Sequence, residues 1–211
     1  MTHHSEPGIT VTGVGQSSAS PDLMTVEIGI SVLGTSVAEA RSVAAERSAA
    51  LIAYLKGSGI DDGDIQTVRY AIHPEYDHHE GQQRLRGYRV SNDVQVVLRQ
   101  LGSAGEVLDS AADTGGDQVT INNVSFSVEN QATARDQARE AAWEDARARA
   151  EHLARLSGRA LGDVVGIVET SGRQPGPGPL PRMALATAET TPIEGGNTSI
   201  TVSLEVRFAL G

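Results

Sequence analysis

The residues best suited to chemistry lie in one short segment, residues 73–83, which reads HPEYDHHEGQQ. Imidazole and carboxylate groups are good ligands for zinc, nickel or copper. In an extended segment, residues of like parity share one face, so the side chains that could converge are His73, Glu75, Asp77 and His79. One hypothesis is therefore a metal or small-ligand site whose central ligands are His73, Asp77 and His79.

The competing interpretation of this segment is the solvated tip of a β-hairpin. A structural metal site takes its ligands from a framework that fixes them, and a tip rich in Gly and Gln fixes little. His152 falls on a predicted long helix as a surface residue, whereas His3 and His4 fall in residues 1–8, which we predict to be disordered. We favour the hairpin and assign no metal-binding residue.

The sequence contains no catalytic or cofactor-binding signature. It has no cysteine, which excludes disulfides, thiolate catalysis and cysteine-ligated zinc. The segment GVGQSS lacks the third glycine of a dinucleotide-binding fingerprint and leads into a strand instead of a helix. The adjacent carboxylates Glu144 and Asp145 lie on an arginine-rich helix, where a solvated charged face explains them. We therefore predict no enzyme activity, no catalytic residue and no cofactor.

Composition argues against several classes of partner. The 211 residues carry a net charge of −10, which disfavours nucleic acid and anionic membrane surfaces. Aromatic residues make up only 3% of the chain, so a core must consist of Val, Ile, Leu and Ala. The first residues, MTHHSEPGITVTG, show neither the basic nor the apolar region of a signal peptide, and no apolar run reaches membrane-spanning length. We accordingly expect a soluble, cytoplasmic protein without membrane insertion.

Alternation of apolar and polar residues predicts the strands that would position these side chains. In the last of them, the apolar residues from Ile200 to Leu210 point to one face. A slip in the alternation at Asn122 and Asn123 predicts a β-bulge. The predicted strands cover residues 9–15, 24–32, 65–72, 88–99, 118–128, 161–170 and 198–210.

Helical spacing predicts two long helices and one short helix. The first begins at Ser36, which forms a capping box with Glu39, and the short one begins at Ser103. The third is the clearest and ends at Gly158. Its predicted apolar stripe consists of Ala138, Ala142, Ala146, Ala150 and Leu153.

Together these elements predict an α+β fold, in which an antiparallel or mixed sheet packs against two long helices and one short helix. The order strand, helix, strand, strand occurs twice, which predicts half-repeats at residues 9–100 and 117–211 within a single domain at 9–211. Residues 171–197 are rich in Pro and Gly, and we predict a mobile loop equivalent to the hairpin tip.

Five segments taken together resemble the SIMPL-domain family. Each motif alone is weak, but five in the same order are fairly specific, and they extend over residues 9–209. The matching segments are GVGQSSASPD, GIDDGDIQTVRYAIHPEYD, GYRVSNDVQV, AWEDARARAEHLARLSGRALGDV and TPIEGGNTSITVSLEV.

The resemblance implies an α+β fold, no established enzyme activity and, in some bacterial members, homo-oligomeric ring-like or channel-like assemblies. Its bacterial members include periplasmic immunogenic and oxidative-stress-defence proteins, and its animal founder was named for association with a pelle-like kinase. No family residue has a known catalytic role, so none is transferred. Two departures from the family pattern are the lack of a secretion signal and TPIEGG in place of TPIEPG.

The leading prediction is therefore a non-enzymatic SIMPL-domain protein that assembles into a homo-oligomer and has a scaffold or stress-related role. The alternating last strand could extend a sheet between copies of the chain. The alternative is a metal or small-ligand binding protein that uses residues 73–79.

Overall fold

A computed structural model of the chain describes residues 7–79, 82–170 and 193–211. Most of the predicted N-terminal disorder and most of the predicted loop at 171–197 lie outside these residues. The described chain forms two compact units, which we call the three-stranded unit and the four-stranded unit. The three-stranded unit comprises residues 7–20, 128–170 and 196–211, and the four-stranded unit comprises residues 21–79, 82–127 and 193–195.

Seven strands and three α-helices make up the described chain. Three short 3-10 helices, at Asp62–Asp64, Leu101–Ser103 and Gly116–Gln118, join some of them. In chain order the elements are β1 (Gly8–Ala19), β2 (Leu23–Gly34), α1 (Val37–Gly57), β3 (Ile65–His79), β4 (Gln82–Leu98), α2 (Ala104–Gly115), β5 (Val119–Ser127), α3 (Ala132–Leu156), β6 (Leu161–Thr170) and β7 (Thr198–Leu210).

The four-stranded unit has an antiparallel sheet in the order β3-β4-β2-β5. Helix α1 packs on β2 and β4, and α2 packs on α1 and β5. Alternation in β2 places its apolar side chains towards these helices, because successive residues point to opposite faces of a strand. The buried residues contributed by β2 are Met24, Val26, Ile28, Ile30 and Val32.

The three-stranded unit has an antiparallel sheet in the order β1-β7-β6, and α3 packs mainly on β1 and β7. A Cβ atom on Gly13 or Gly15 would overlap the backbone oxygen of Ala142 or Ala138, respectively. These two glycines therefore let the backbones of β1 and α3 approach each other closely. The buried stripe of α3 consists of Ala134, Ala138, Ala142, Ala146, Ala150 and Ala154.

The predicted α+β class is confirmed, although the strands form two antiparallel sheets instead of one. The half-repeats at 9–100 and 117–211 stay a prediction, and strand pairing joins segments from both of them. Strand β5 joins the sheet of β2, and β1 pairs with β7 in the second sheet. The glycines of β1 fit its place in the second sheet, because Gly13 and Gly15 admit the backbone of α3. The single domain at 9–211 stays a prediction.

Several local predictions can be compared with the structure. The bulge is confirmed at Asn122, which the register between β2 and β5 skips. Ser36 caps α1 as predicted, but Ser103 makes no side-chain cap on α2; its hydroxyl donates a hydrogen bond to the Gln100 carbonyl. Leu153, predicted in the stripe of α3, is exposed because Ala154 continues the i, i+4 series instead.

Candidate functional site

Strands β3 and β4 pair antiparallel up to His79 and Gln82, as the hairpin prediction for residues 73–83 requires. Two arginines form ion pairs with one of its carboxylates. Glu75 of β3 is half-buried and accepts hydrogen bonds from Arg89 and from Arg86, the latter at 3.3 Å. The hydrogen bond from Arg89 is the main cause that lowers the pKa of Glu75 below its ordinary value, so this group is ionised and paired.

The other predicted ligands lie along the same hairpin. His73 and Asp77 are exposed, and the described residues contain no group of three potential ligands that could hold a metal ion. The side chain of His79 lies outside the description. Since Arg86 and Arg89 compete with any metal for Glu75, these contacts favour the hairpin interpretation over a metal site. His152, expected at the surface, is exposed on α3.

A second polar contact, which the sequence analysis did not predict, joins the strands of the four-stranded sheet. Asp93 of β4 is buried, and its carboxylate accepts a hydrogen bond from Arg69 of β3 at 2.5 Å. A side chain on Gly29 of β2 would overlap this carboxylate, so Gly29 provides the space it needs. The contact is an ion pair within the sheet. It joins β3 to β4 and packs against Gly29 of β2, so its role is structural.

The edge strands of the two sheets differ in how their backbone hydrogen-bonding groups are covered. Strand β1 forms one edge of the three-stranded sheet. The Val14 N–H donates a hydrogen bond to Asp145 Oδ2 of α3 at 2.8 Å, and Arg149 Nη1 donates to the Thr12 carbonyl at 2.8 Å. Asp145 and Arg149 also pair with each other at 2.8 Å. Backbone groups that would otherwise pair with another strand are thus occupied by side chains of α3, which closes the β1 edge.

At the opposite edge of the same sheet, β6, the described residues provide no comparable side-chain cover of the backbone. An α-helix is roughly 10 Å wide and strands lie about 4.8 Å apart, so one helix covers about two strands. Because α3 lies over β1 and β7, Val164 and Ile167, which share the α3 face of the sheet with Phe208 and Val206, stay 40% and 54% exposed. Val168 lies opposite Glu205 on the other face. Val165, Ile167 and Val168 are 54%, 54% and 59% exposed.

The two edges of the four-stranded sheet, β3 and β5, carry interruptions. Strand β3 has a bulge at Val68 and contains Pro74, which has no N–H to donate. Strand β5 is short and contains the bulge at Asn122. Bulges, prolines and short edges hinder pairing between chains. Strand β6 is irregular only before Gly166, and its register with β7 is continuous from there to Thr170.

The sequence analysis placed the free edge on the wrong strand. Strand β7 alternates as predicted, but it lies between β1 and β6, which pair with both sides of it from Ser203 to Phe208. The prediction also missed the role of Asp145, which the sequence analysis assigned to a solvated charged face. One signal for β6 was present, since the run VVGIV has no polar residue on either face.

Comparison with known proteins identifies the class to which this fold belongs. The SIMPL family, described as "Protein of unknown function (DUF541)", matches residues 9–208. The chain therefore belongs to the SIMPL family, as the five sequence segments indicated.

Individual relatives agree with this membership. "Uncharacterized protein YggE" of Escherichia coli K12 is 34% identical over 172 residues, covering 81% of this chain and 69% of that protein. The "26 kDa periplasmic immunogenic protein" of Brucella melitensis is 32% identical over 217 residues, covering 96% of this chain and 84% of that protein. A YggE protein of Edwardsiella ictaluri is 33% identical over 173 residues, which cover 81% of this chain and 72% of that protein.

The expected cytoplasmic location is contradicted by these relatives. The Brucella protein, which matches this chain almost throughout, is named as periplasmic. The cytoplasmic prediction depended on the composition of the first residues, and that composition does not determine the compartment. Among the residues that the structure describes, no helix is long and apolar enough to cross a membrane.

Proposed function

We propose that this protein is a non-enzymatic member of the SIMPL family that assembles with copies of itself through β6, in the periplasm. The observation that carries the proposal is the bare edge of β6, where Val165, Ile167 and Val168 are exposed. An open strand edge offers unpaired backbone groups to another chain, and covering apolar side chains stabilises the contact.

One further observation supports a scaffold role over catalysis, and a second supports the periplasmic compartment. Glu75, one of the candidate ligands, is engaged in an ion pair with Arg89, and the buried Asp93 is paired with Arg69, so both carboxylates have structural partners. The periplasmic name of the Brucella relative supports the compartment. A stress-related role is supported by the family resemblance alone, and its test is the survival of a deletion strain under peroxide.

The central experiment measures molar mass in solution by size exclusion coupled to light scattering. We expect the wild-type protein to exceed the chain mass of 22.1 kDa at micromolar concentration. Val168→Lys places a charge on the open edge and should weaken association at least tenfold, which corresponds to about 1.4 kcal/mol.

The matched control is Val14→Lys, because Val14 is an exposed valine on the closed edge and is 42% exposed. This variant should keep the wild-type mass. A wild-type protein that elutes as a monomer over the whole concentration range would refute the assembly proposal, and equal loss of mass in both variants would refute the role of β6.

A further inference from the structure

We infer that the open face of β3 binds an uncharged, proline-rich segment of a partner protein in the polyproline II conformation. The binding surface, which we call the tyrosine strip, consists of Tyr70, Ile72, Pro74 and Tyr76 of β3 with Leu85 and Tyr88 of β4. It belongs to the four-stranded unit, so the inference goes beyond the proposed assembly through β6 and does not depend on it.

The tyrosine strip is exposed because the helices of the four-stranded unit pack on other strands. Helix α1 packs on β2 and β4, and α2 packs on α1 and β5. Ile72 lies opposite the buried Val90, so the strip points to the same face of the sheet as the core. Tyr70 and Tyr76 are nevertheless 56% and 49% exposed. Three of the four tyrosines of the chain therefore lie on one surface, and exposed apolar surfaces of this kind mark interaction sites.

The tyrosine strip contains no charged residue, which selects an uncharged ligand. The described charged residues of β3 and β4 lie on the opposite face of the hairpin, where Arg69 pairs with Asp93 and Arg89 with Glu75. A charged ligand on the strip would lose water without gaining a partner of opposite charge, which is unfavourable.

The size of the strip and the edge of β3 select a narrow, linear ligand. A stable interface between folded proteins uses about 20–30 residues on each side, far more than this strip provides. A partner strand is hindered from extending the sheet here, since β3 has a bulge at Val68 and Pro74 has no N–H. The ligand therefore lies across the side chains of the strip and does not pair with the backbone of β3.

The dimensions of a polyproline II helix match those of the strip. This helix has three residues per turn and rises about 3.1 Å per residue, so two turns span about 19 Å. Tyr70 and Tyr76 are six residues apart in a strand that rises about 3.4 Å per residue, so they are separated by about 20 Å. Prolines at positions i and i+6 of the ligand can thus contact the two tyrosine rings, while the residue at i+3 lies over Ile72 and Pro74.

Polar groups beside the rings suit the backbone of such a ligand. A polyproline II segment has no internal hydrogen bonds, so its carbonyl groups can accept hydrogen bonds from the protein. Each tyrosine combines an apolar ring with a hydroxyl donor. Beyond Tyr76 on the same face, His78 and Gln83 add further polar groups, with their Nε2 atoms 3.1 Å apart. A preformed polyproline II segment also loses little conformational entropy on binding.

The test is calorimetric titration of the full chain with a capped peptide of about ten prolines, long enough for three turns of polyproline II. We expect the wild type to bind this peptide, and Tyr70→Ala and Tyr76→Ala each to raise the Kd at least tenfold. Leu156→Ala is the matched control, because Leu156 is an apolar residue of α3 that is 71% exposed. Its Kd should stay within twofold of the wild-type value, and circular dichroism verifies that each variant is folded.

A capped Gly-Ser peptide of the same length tests the conformation of the ligand, because it is uncharged but flexible. We expect it to bind at least tenfold more weakly than the proline peptide. Equal binding of the two peptides would overturn the recognition of polyproline II. Failure of the wild type to bind the proline peptide, or an unchanged Kd in both tyrosine variants, would overturn the inference. So would tighter binding of an uncharged amphipathic helical peptide that both tyrosine variants abolish, which would assign the strip to a helix.

Discussion

Strands β1 and β6 border the same three-stranded sheet, yet α3 lies over β1 and contacts β6 mainly through the ion pair of Arg139 with Glu169. On β1, Gly13 and Gly15 admit the helix backbone, and Asp145 and Arg149 occupy backbone hydrogen-bonding groups. On β6, Val165, Ile167 and Val168 are more than half exposed. The comparison teaches that a single helix can only protect one side of a three-stranded sheet, and that the unprotected side is the place to look for function.

The largest expected effect comes from breaking the close contact at β1. Gly15→Ala places a Cβ atom against the backbone oxygen of Ala138, and a helix backbone cannot move aside as a side chain could. We expect the free energy of unfolding to fall by about 3 kcal/mol, measured by urea denaturation.

The control for this change is Gly166→Ala on β6, where an added Cβ atom meets nothing within 4 Å. Its stability should change by less than about 0.5 kcal/mol. If both alanine variants were equally stable, the close approach of α3 to β1 would not distinguish the two edges.

An intermediate effect is expected from Asp145→Ala, which removes the acceptor for the Val14 N–H and the partner of Arg149. Because the Asp145 side chain is about one third exposed, solvent screens part of the stabilisation that these contacts provide. We expect the free energy of unfolding to fall by about 1 kcal/mol, measured by thermal or urea denaturation.

Glu151→Ala is the matched control for Asp145→Ala. Glu151 forms the same kind of i, i+4 pair, with Arg147 at 3.0 Å, on the same helix. The Glu151→Ala substitution should lower the free energy of unfolding by less than about 0.5 kcal/mol. A comparable loss from both substitutions would mean that the bond to β1 contributes nothing beyond a helical ion pair.

The smallest effect concerns the charged contact between β6 and α3. The hydrogen bond from Arg139 lowers the pKa of Glu169 below its ordinary value, so the carboxylate contributes stability above its unfolded-state pKa. That contribution is lost as the pH falls through the lower, folded-state pKa. Carboxyl chemical shifts followed by NMR should give a pKa for Glu169 below 4.5 in the wild type.

Arg139→Gln should return the pKa of Glu169 towards its ordinary value, and Glu169→Gln should flatten the acid dependence of stability below the ordinary pKa of a glutamate. An unshifted Glu169 in the wild type would contradict the contact between β6 and α3.

The sequence predicted those features that depend on local pattern. The alternation in β2 and β7 identified their buried residues, and the slip at Asn122 identified the bulge, because a strand with one buried face must keep period two. The recognition of the family also came from local segments in order. The stripe of α3 was predicted correctly up to Ala150 for the same reason.

What the sequence did not predict depends on which strands meet. The order of strands in a sheet is set by contacts between distant segments, so neither the pairing of β1 with β7 nor the edge position of β6 could be derived from alternation. To predict the role of Asp145, one would have to know which residues of α3 lie next to which residues of β1. The arginine contacts of Glu75 likewise depend on the register of β3 and β4, which a hairpin with a bulge does not reveal.

The pairing of β1 with β7 has a consequence for how the chain acquires its structure. Gly8 lies opposite Ala209, so the three-stranded unit joins segments from near both termini. Contacts of such long sequence separation form slowly, since the loop between them must close first. During synthesis, β1 therefore waits for β7 to emerge, while β2 to β5 can associate earlier, and any nascent chain held in that interval displays a glycine-bearing strand without its partner strand.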